Sequence, residues 1–368
     1  MYAISANWKN AMSEILAPEG FVEISCYIPG LQTKLVYTKG DLLRFSHQQT
    51  GSIISAELPK NHIEFALDNS DGRWNPSNPS GLERHLSERL KITLRYGINI
   101  SGVTEWIPGG VFYLSEWNSS PNGIEASFVA RDILEYMIDQ PFTGKIKGTL
   151  YELATRAISE ANLPRDAVVR LCDELKNYSV ADIEYKGDES VAEILQKCAN
   201  ASSCVMYQNR DGVLVIERLN TDNSGYVIPS RLSYVYPEME LLRPIKAVST
   251  SYANNLTETY VYYTSGETQT ISNDFISTST QANEVSKWVY DSLRSRQKIS
   301  GDFRSDLRLD LFDVVNVENK YGTVESVVLT DIKLTFTGAF RTTYTGYICI
   351  GGAIANIYSG EIYMGEVV

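Results

Sequence analysis

Three histidines and five cysteines are the residues best suited to acid–base or covalent chemistry here, and their spacing organises none. His47, His62 and His85 form no His-Glu-x-x-His pattern, and no Gly-x-Ser-x-Gly elbow presents a nucleophile. They read as structural histidines. Cys26, Cys172, Cys198, Cys204 and Cys349 are odd in number and match neither zinc-ligand nor Cys-x-x-Cys spacing. They read as reduced thiols packed as small hydrophobes. "TGKIKG" lacks the Ser or Thr that a phosphate-binding loop needs after its Lys. A glycosidase needs two carboxylates at a set separation, and 45 Asp and Glu residues supply no pattern that selects a pair. No catalytic residue, cofactor or metal is therefore expected.

One segment concentrates polar chemistry. "FALDNSDGRWNPSNPSG" (Phe65–Gly81) carries Asp68, Asn69 and Asp71 ahead of Gly72. A calcium loop of the EF-hand type places ligands at positions one, three and five and Gly at six, and counting back from Gly72 puts Leu67 at position one. The register fails. Arg73 and Trp74 could stack on a sugar, but a single Trp is more often a packing anchor. Asn75-Pro76 and Asn78-Pro79 enforce turn or extended geometry. The reading is a rigid structural joint made by Arg73, Trp74, Asn75 and Pro76, with Trp74 pinning it.

The elements that must carry these residues are mostly strands. "LKITLRYG", "GVFYLSEW" and "IEASFVA" are rich in branched and aromatic residues, with a turn at "SPNG" and a short helix over Arg131–Met137. Near Pro141 the character changes. "TLYELATRAISEA" and "SVAEILQKCANA" read as amphipathic helices, opened by capping boxes at Thr149/Glu152 and Ser190/Glu193. "CVMYQNRDGVLVIERL" reads as a hairpin turning at Asn209–Gly212. The chain then returns to strands, interrupted by a helix in "QANEVSKWVYDSLRSRQK". Arg294, Arg296 and Lys298 cluster at the end of that helix, opposing its dipole. "KITLRYG…FYLSEW…IEASFVA" shares its rhythm with "VVNVENKYG…SVVLTDIKLTF", each with an aromatic-Gly turn at Tyr96-Gly97 or Tyr321-Gly322. That is either a chance likeness between β sequences or two related β-barrels separated by an α/β insertion.

Length and charge narrow the partners. The 368 residues suffice for two or three domains. The net charge of -12 argues against a nucleic-acid binder, which needs a basic surface. No apolar run reaches the roughly 20 residues of a membrane helix, and the N-terminus has no secretion-signal pattern.

Four strings, in order, resemble the tail hub proteins of long-tailed bacteriophages. They are "LPKNHIEFALDNSDGRWNPSNPSG", "GGVFYLSEW…FVARD", "SVAEILQKCANASSCVMYQNRDGVLVIE" and "LRLDLFDVVNVENKYG…LTFTGAF", spanning roughly residues 40–345. The resemblance implies a mainly β fold with α+β content: two tube-type β-barrel domains (1–140 and 221–345, the second with one helix), a small α/β domain inserted at 141–220, and C-terminal strands or tail at 346–368. It implies a structural virion protein at the tail tip, assembled in the bacterial cytoplasm. Three copies would form a homotrimer with pseudo-sixfold symmetry. Its partners would be the tail tube or distal tail protein ring above, a spike, fibre or receptor-binding protein below, a tape-measure protein in the lumen, and DNA only in transit. Relatives often carry a C-terminal lysin or fibre-binding part; this chain stops soon after its last strands, so such activity is expected elsewhere. Arg294, Arg296 and Lys298 are then expected at an inter-subunit contact away from the lumen. The alternatives are a cell-wall hydrolase and a carbohydrate- or receptor-binding module.

Overall fold

The computed structural model describes residues 1–14, 17–54, 57–119, 123–219, 224–253 and 256–348, with backbone alone at 146, 181 and 182. The expected turn at 120–123 lies almost wholly outside these residues. So do Cys349 and all of the expected C-terminal segment beyond Ile348.

The chain opens with α1 (Ala6–Ser13), capped by Ser5, whose hydroxyl accepts from the Trp8 amide. Seven strands follow: β1 (Gly20–Ile28), β2 (Thr33–Tyr37), β3 (Leu42–Thr50), β4 (Lys60–Asp68), β5 (Lys91–Ile100), β6 (Val103–Ser119) and β7 (Glu125–Arg131). They pair in the order β3-β4-β7-β6-β5-β1-β2, every pair antiparallel. Alternate residues of β7 (Ala126, Phe128, Ala130) are buried, because a strand sends successive side chains to opposite faces. These strands and α1 share one core around Trp8, Phe45, Trp74, Tyr96 and Phe112.

Next come β8 (Pro141–Thr149), α2 (Leu150–Glu160), β9 (Val168–Leu171), β10 (Ser179–Ser190), α3 (Val191–Ala201), β11 (Val205–Gln208) and β12 (Val213–Glu217). Both expected capping boxes are present, each joining a hydroxyl and a glutamate reciprocally across the first helical turn. The β11–β12 hairpin forms as expected, and β12 also pairs in parallel with β9.

The last stretch contains β13 (Val227–Ile228), β14 (Ser233–Leu241), β15 (Ile245–Tyr252), β16 (Leu256–Val261), β17 (Glu267–Ile271), α4 (Ser279–Leu293), β18 (Gln297–Arg304), β19 (Val314–Glu318), β20 (Val324–Phe336) and β21 (Phe340–Ile348). β15, β16 and β17 form a separate sheet against α4. Phe275, Val285 and Tyr290 bury in the same core as Leu150, Leu153 and Leu195 of α2 and α3.

The remaining strands reproduce the first set. β14-β18-β21-β20 runs as β3-β4-β7-β6 does, and β19 sits on β20 as β5 sits on β6. β13 takes the place of β1 beside β19, but pairs in parallel where β1 pairs antiparallel with β5. Irregularities recur at matching places: between Leu42 and Arg44 as between Ser233 and Val235, and between Leu114 and Glu116 as between Leu329 and Asp331. The two halves join through antiparallel pairing of β3 with β20, which makes one sheet of thirteen strands. The fold is mainly β with an α/β portion, as expected. Among the described residues the strand path ends open at β14 and β2, so hydrogen bonding closes neither half into a barrel.

Three local expectations are corrected. The segment expected as a helix at Arg131–Met137 is a 3-10 turn over Ile133–Tyr136, capped by Asp132. Tyr96-Gly97 is no turn: both lie inside β5, where the side chain of Trp106 packs so closely over Gly97 that a Cβ would sit 2.9 Å from it. The last helix stops at Leu293, because Arg296 turns into the left-handed region (φ 59°) and Lys298 already belongs to β18. No basic residue lies in the last helical turn, so the three cations do not oppose the dipole from within the helix.

Candidate functional site

The Phe65–Gly81 segment builds its loop from backbone turns spaced three residues apart. The amides of Gly72, Asn75, Asn78 and Gly81 donate to the carbonyls of Asn69, Gly72, Asn75 and Asn78, respectively. Pro76 and Pro79 occupy the second position of two of these turns, where their fixed φ is already correct. The side-chain oxygens of Asp68, Asp71, Asn75 and Asn78 each accept from the amide two residues on. The carboxylates considered as calcium ligands therefore serve as turn acceptors, and no cluster of three or more metal-ligating side chains occurs among the described residues.

Trp74 is 2% exposed. Its ring meets Phe128 edge-on at 5.1 Å between centroids and Tyr37 at 6.2 Å. Its amide donates to Asn69 Oδ1 at 2.8 Å. Arg73 stays at the surface, paired with Asp71. Asn69, which the sequence marked only as a failed calcium ligand, ties the loop to its surroundings. It is buried, and its Nδ2 donates to Ser119 Oγ and to the Gly123 carbonyl.

A second constellation lies where the two halves and the α/β portion meet, and the sequence marked little of it. His47 on β3 is buried, with Nδ1 2.7 Å from the Tyr96 hydroxyl and Nε2 2.8 Å from Asn61 Oδ1. Burial, with the nearby Arg210 charge, pushes its pKa down to about 3, so the ring is neutral. The tip of the β11–β12 hairpin enters this junction. Buried Arg210 donates to the Leu309 carbonyl and lies 5.7 Å over the Tyr96 ring. The Arg210 amide and Gln49 Nε2 both donate to the Asp310 carboxylate. Gly212 (φ 77°) lets the tip approach β6, since a Cβ there would sit 2.6 Å from the Val111 side chain. Gln208 spans the same contact, donating to the Val111 carbonyl and accepting from the Ile133 amide. The only advance signal was the Asn-Arg-Asp-Gly turn; the insertion of its Arg has no local signature.

The three cations expected together each have a different partner. Arg294 lies 3.7 Å from Asp291, Arg296 Nε donates to the Leu242 carbonyl, and Lys298 lies 3.9 Å from Glu240. His62 is half-buried near Glu64, and His85 sits in the turn after the Asn-Pro loop. Cys26, Cys198 and Cys204 are buried, and Cys172 Sγ lies 3.4 Å from Cys204 Sγ.

Asp132 gives a testable electrostatic feature. One carboxylate oxygen caps the Leu134 amide, while the other is buried without a partner. Burial, with Glu135 nearby, pushes its pKa up to about 7. The folded chain thus keeps a proton that the unfolded chain releases near pH 4, and this group's contribution to native stability falls as pH rises from about 4 to about 7. Asp132→Asn is expected to stabilise the protein by about 2–4 kcal/mol at pH 8 and hardly at all at pH 4. Denaturant unfolding at both pH values measures this, and an equal gain at both would show that ionisation is not the source.

No family model and no curated protein matches the sequence. Solved structures do match. A tail protein from Neisseria meningitidis MC58 superposes with a TM-score of 0.61 at 13% identity, over 90% of this chain and 96% of that one. The fold is that of this tail protein. The 43 kDa tail protein of prophage MuSo2 from Shewanella oneidensis (TM-score 0.59, 12% identity, 89% of this chain and 98% of that one) shares this tail-protein fold. So does the prophage tail protein gp18 from Listeria monocytogenes EGD-e (0.53, 12%, 88% and 94%). No described helix of this tail-type fold is long and apolar enough to cross a membrane.

Proposed function

We propose that this chain is a non-enzymatic structural protein of a phage tail, forming a trimeric hub at its distal end. The observation that carries the reading is the duplicated strand order within one sheet, in a fold shared with prophage tail proteins. Two equivalent halves per chain and three chains make six equivalent units around an axis, which matches a hexameric tube on one side and a threefold tip on the other. The halves correspond to the tube-type domains at 1–140 and 221–345, with 141–220 inserted and 346–368 following. Partners on this reading are the tail tube or distal tail ring above, a spike, fibre or receptor-binding protein below, and a tape-measure protein and then DNA in the lumen. Assembly takes place in the host cytoplasm and the product is a virion component. Arg73, Trp74, Asn75 and Pro76 form a structural joint, and Arg294, Arg296 and Lys298 lie at a chain-to-chain contact outside the lumen. Electron microscopy of the assembled tail tip tests the scheme. A threefold ring of this chain with an open centre is expected; a single copy, or a ring of another order, overturns it.

A further inference from the structure

The seam inside the chain is a template for a seam between chains. One edge of β20 is filled by β21. Its other edge is shared, with β19 along Val324–Val328 and β3 along Asp331–Phe336. β6 is the counterpart of β20. It gives one edge to β7, and β5 follows its other edge only as far as Tyr113. Beyond that, Glu116–Ser119 has no strand along this edge among the described residues. β14 is the counterpart of β3. It pairs with β18, and its other edge, which in β3 is filled by β20, carries no described strand. Each chain therefore shows one unfilled edge of each kind that the internal seam joins.

The side chains agree. In β3, Gln48 and Thr50, which face β20 across the seam, are only partly exposed. On β14, Tyr236, Met239 and Leu241 are 56%, 47% and 65% exposed. Pro237, Glu238 and Glu240 blunt this edge, yet the exposed Tyr236, Met239 and Leu241 leave apolar surface that a partner strand would cover. Resting on the ring reading above, we infer that β14 of one copy pairs antiparallel with Glu116–Ser119 of β6 in the next copy. The contact uses two different surfaces, so it is head-to-tail rather than a twofold pair, and on the threefold reading it closes into a ring. The internal register transfers directly. Asp331 faces Thr50 and Lys333 faces Gln48. Asp331 follows the same irregularity as Glu116, and Thr50 ends its strand as Leu241 does. Glu116 thus faces Leu241 of the next copy, and Asn118 faces its Met239.

Cysteine pairing in the full chain tests this. Residues directly opposite on antiparallel strands bring their Cβ atoms to about 4.5–5.5 Å, close enough for a disulfide after slight adjustment. The double variant Asn118→Cys/Met239→Cys, oxidised by a low-molecular-weight disulfide that takes up the two thiol hydrogens, is expected to give covalent dimers and closed trimers on non-reducing gels. Either single variant should give neither. As a second arm, Met239→Lys/Leu241→Lys places charge on an exposed strand. It is expected to keep the melting temperature of the isolated chain while weakening assembly at least tenfold by light scattering. Wild-type rings with no cross-link, and with lysine variants that assemble normally, would overturn the seam and leave the ring standing. A folded wild-type chain that stays monomeric at every concentration and in the assembled tail would overturn the ring and the seam together.

Discussion

Replacing Trp74 with alanine is expected to cost about 3–5 kcal/mol, the range for removing a large aromatic from a packed core. The indole fills space between Phe128 of the sheet and Tyr37 of β2, so its loss opens a cavity where loop and sheet meet. Neighbouring side chains cannot easily refill it, because the loop backbone is held by its own turns and by Asn69. Trp74→Phe separates packing from polarity. The indole N–H has no hydrogen-bond partner in the structure, so the smaller ring forfeits volume but no bond, and less than half the loss is expected. Urea unfolding of the three proteins measures both differences. An alanine variant with unchanged stability that has lost binding to a cell-wall glycan would replace the joint with a sugar site.

Acidification is expected to weaken the protein through His47 before most carboxylates titrate. Its folded pKa of about 3 lies below the usual value near 6.5, so the native state refuses a proton that the unfolded chain accepts. The stability it contributes is fully present above about pH 6.5 and is lost as pH falls towards 3. The full span is worth about 3–5 kcal/mol. Arg210 and His62 both act against a charge on the ring, while the hydrogen bond to Asn61 partly favours it. His47→Gln keeps polar atoms near Tyr96 and Asn61 but does not titrate. The variant should be less stable at pH 7.5 yet show a flatter stability curve between pH 6.5 and 5. Parallel curves for wild type and variant would assign the acid sensitivity to other groups.

Local signals were legible where a few adjacent residues decide the outcome. Thr149/Glu152 and Ser190/Glu193 name their helix starts, and the Asn-Arg-Asp-Gly turn names its hairpin. The turns of the Asn-Pro loop were legible because they are written in its own side chains, although the contacts of Asn69 were not. Tyr96-Gly97 misled because a glycine in a strand can serve close packing as well as a turn, and only the position of Trp106 decides between them. The duplication showed only as rhythm, since it lives in strand pairing and bulge position rather than in residue identity. The seam between β3 and β20 and the Arg210 insertion were illegible, because their partners come from distant parts of the chain.

β14 and β18 are hydrogen-bonded neighbours, yet β15, β16, β17 and α4 lie between them in the chain. The excursion sets an order of folding. To zip β14 onto β18, the chain must first bring its ends together across that excursion, at an entropic cost that grows with loop length. Packing of α4 against the core of α2 and α3 draws the ends together in advance. α2 and α3 are synthesised before α4, and chains generally fold from the N-terminal side during synthesis. On this order the α/β portion is expected to template the pairing of β14 with β18, and the second half of the sheet is expected to form last. Its outermost strand, β14, is made before its partner β18 and stays without that partner until the excursion has been synthesised.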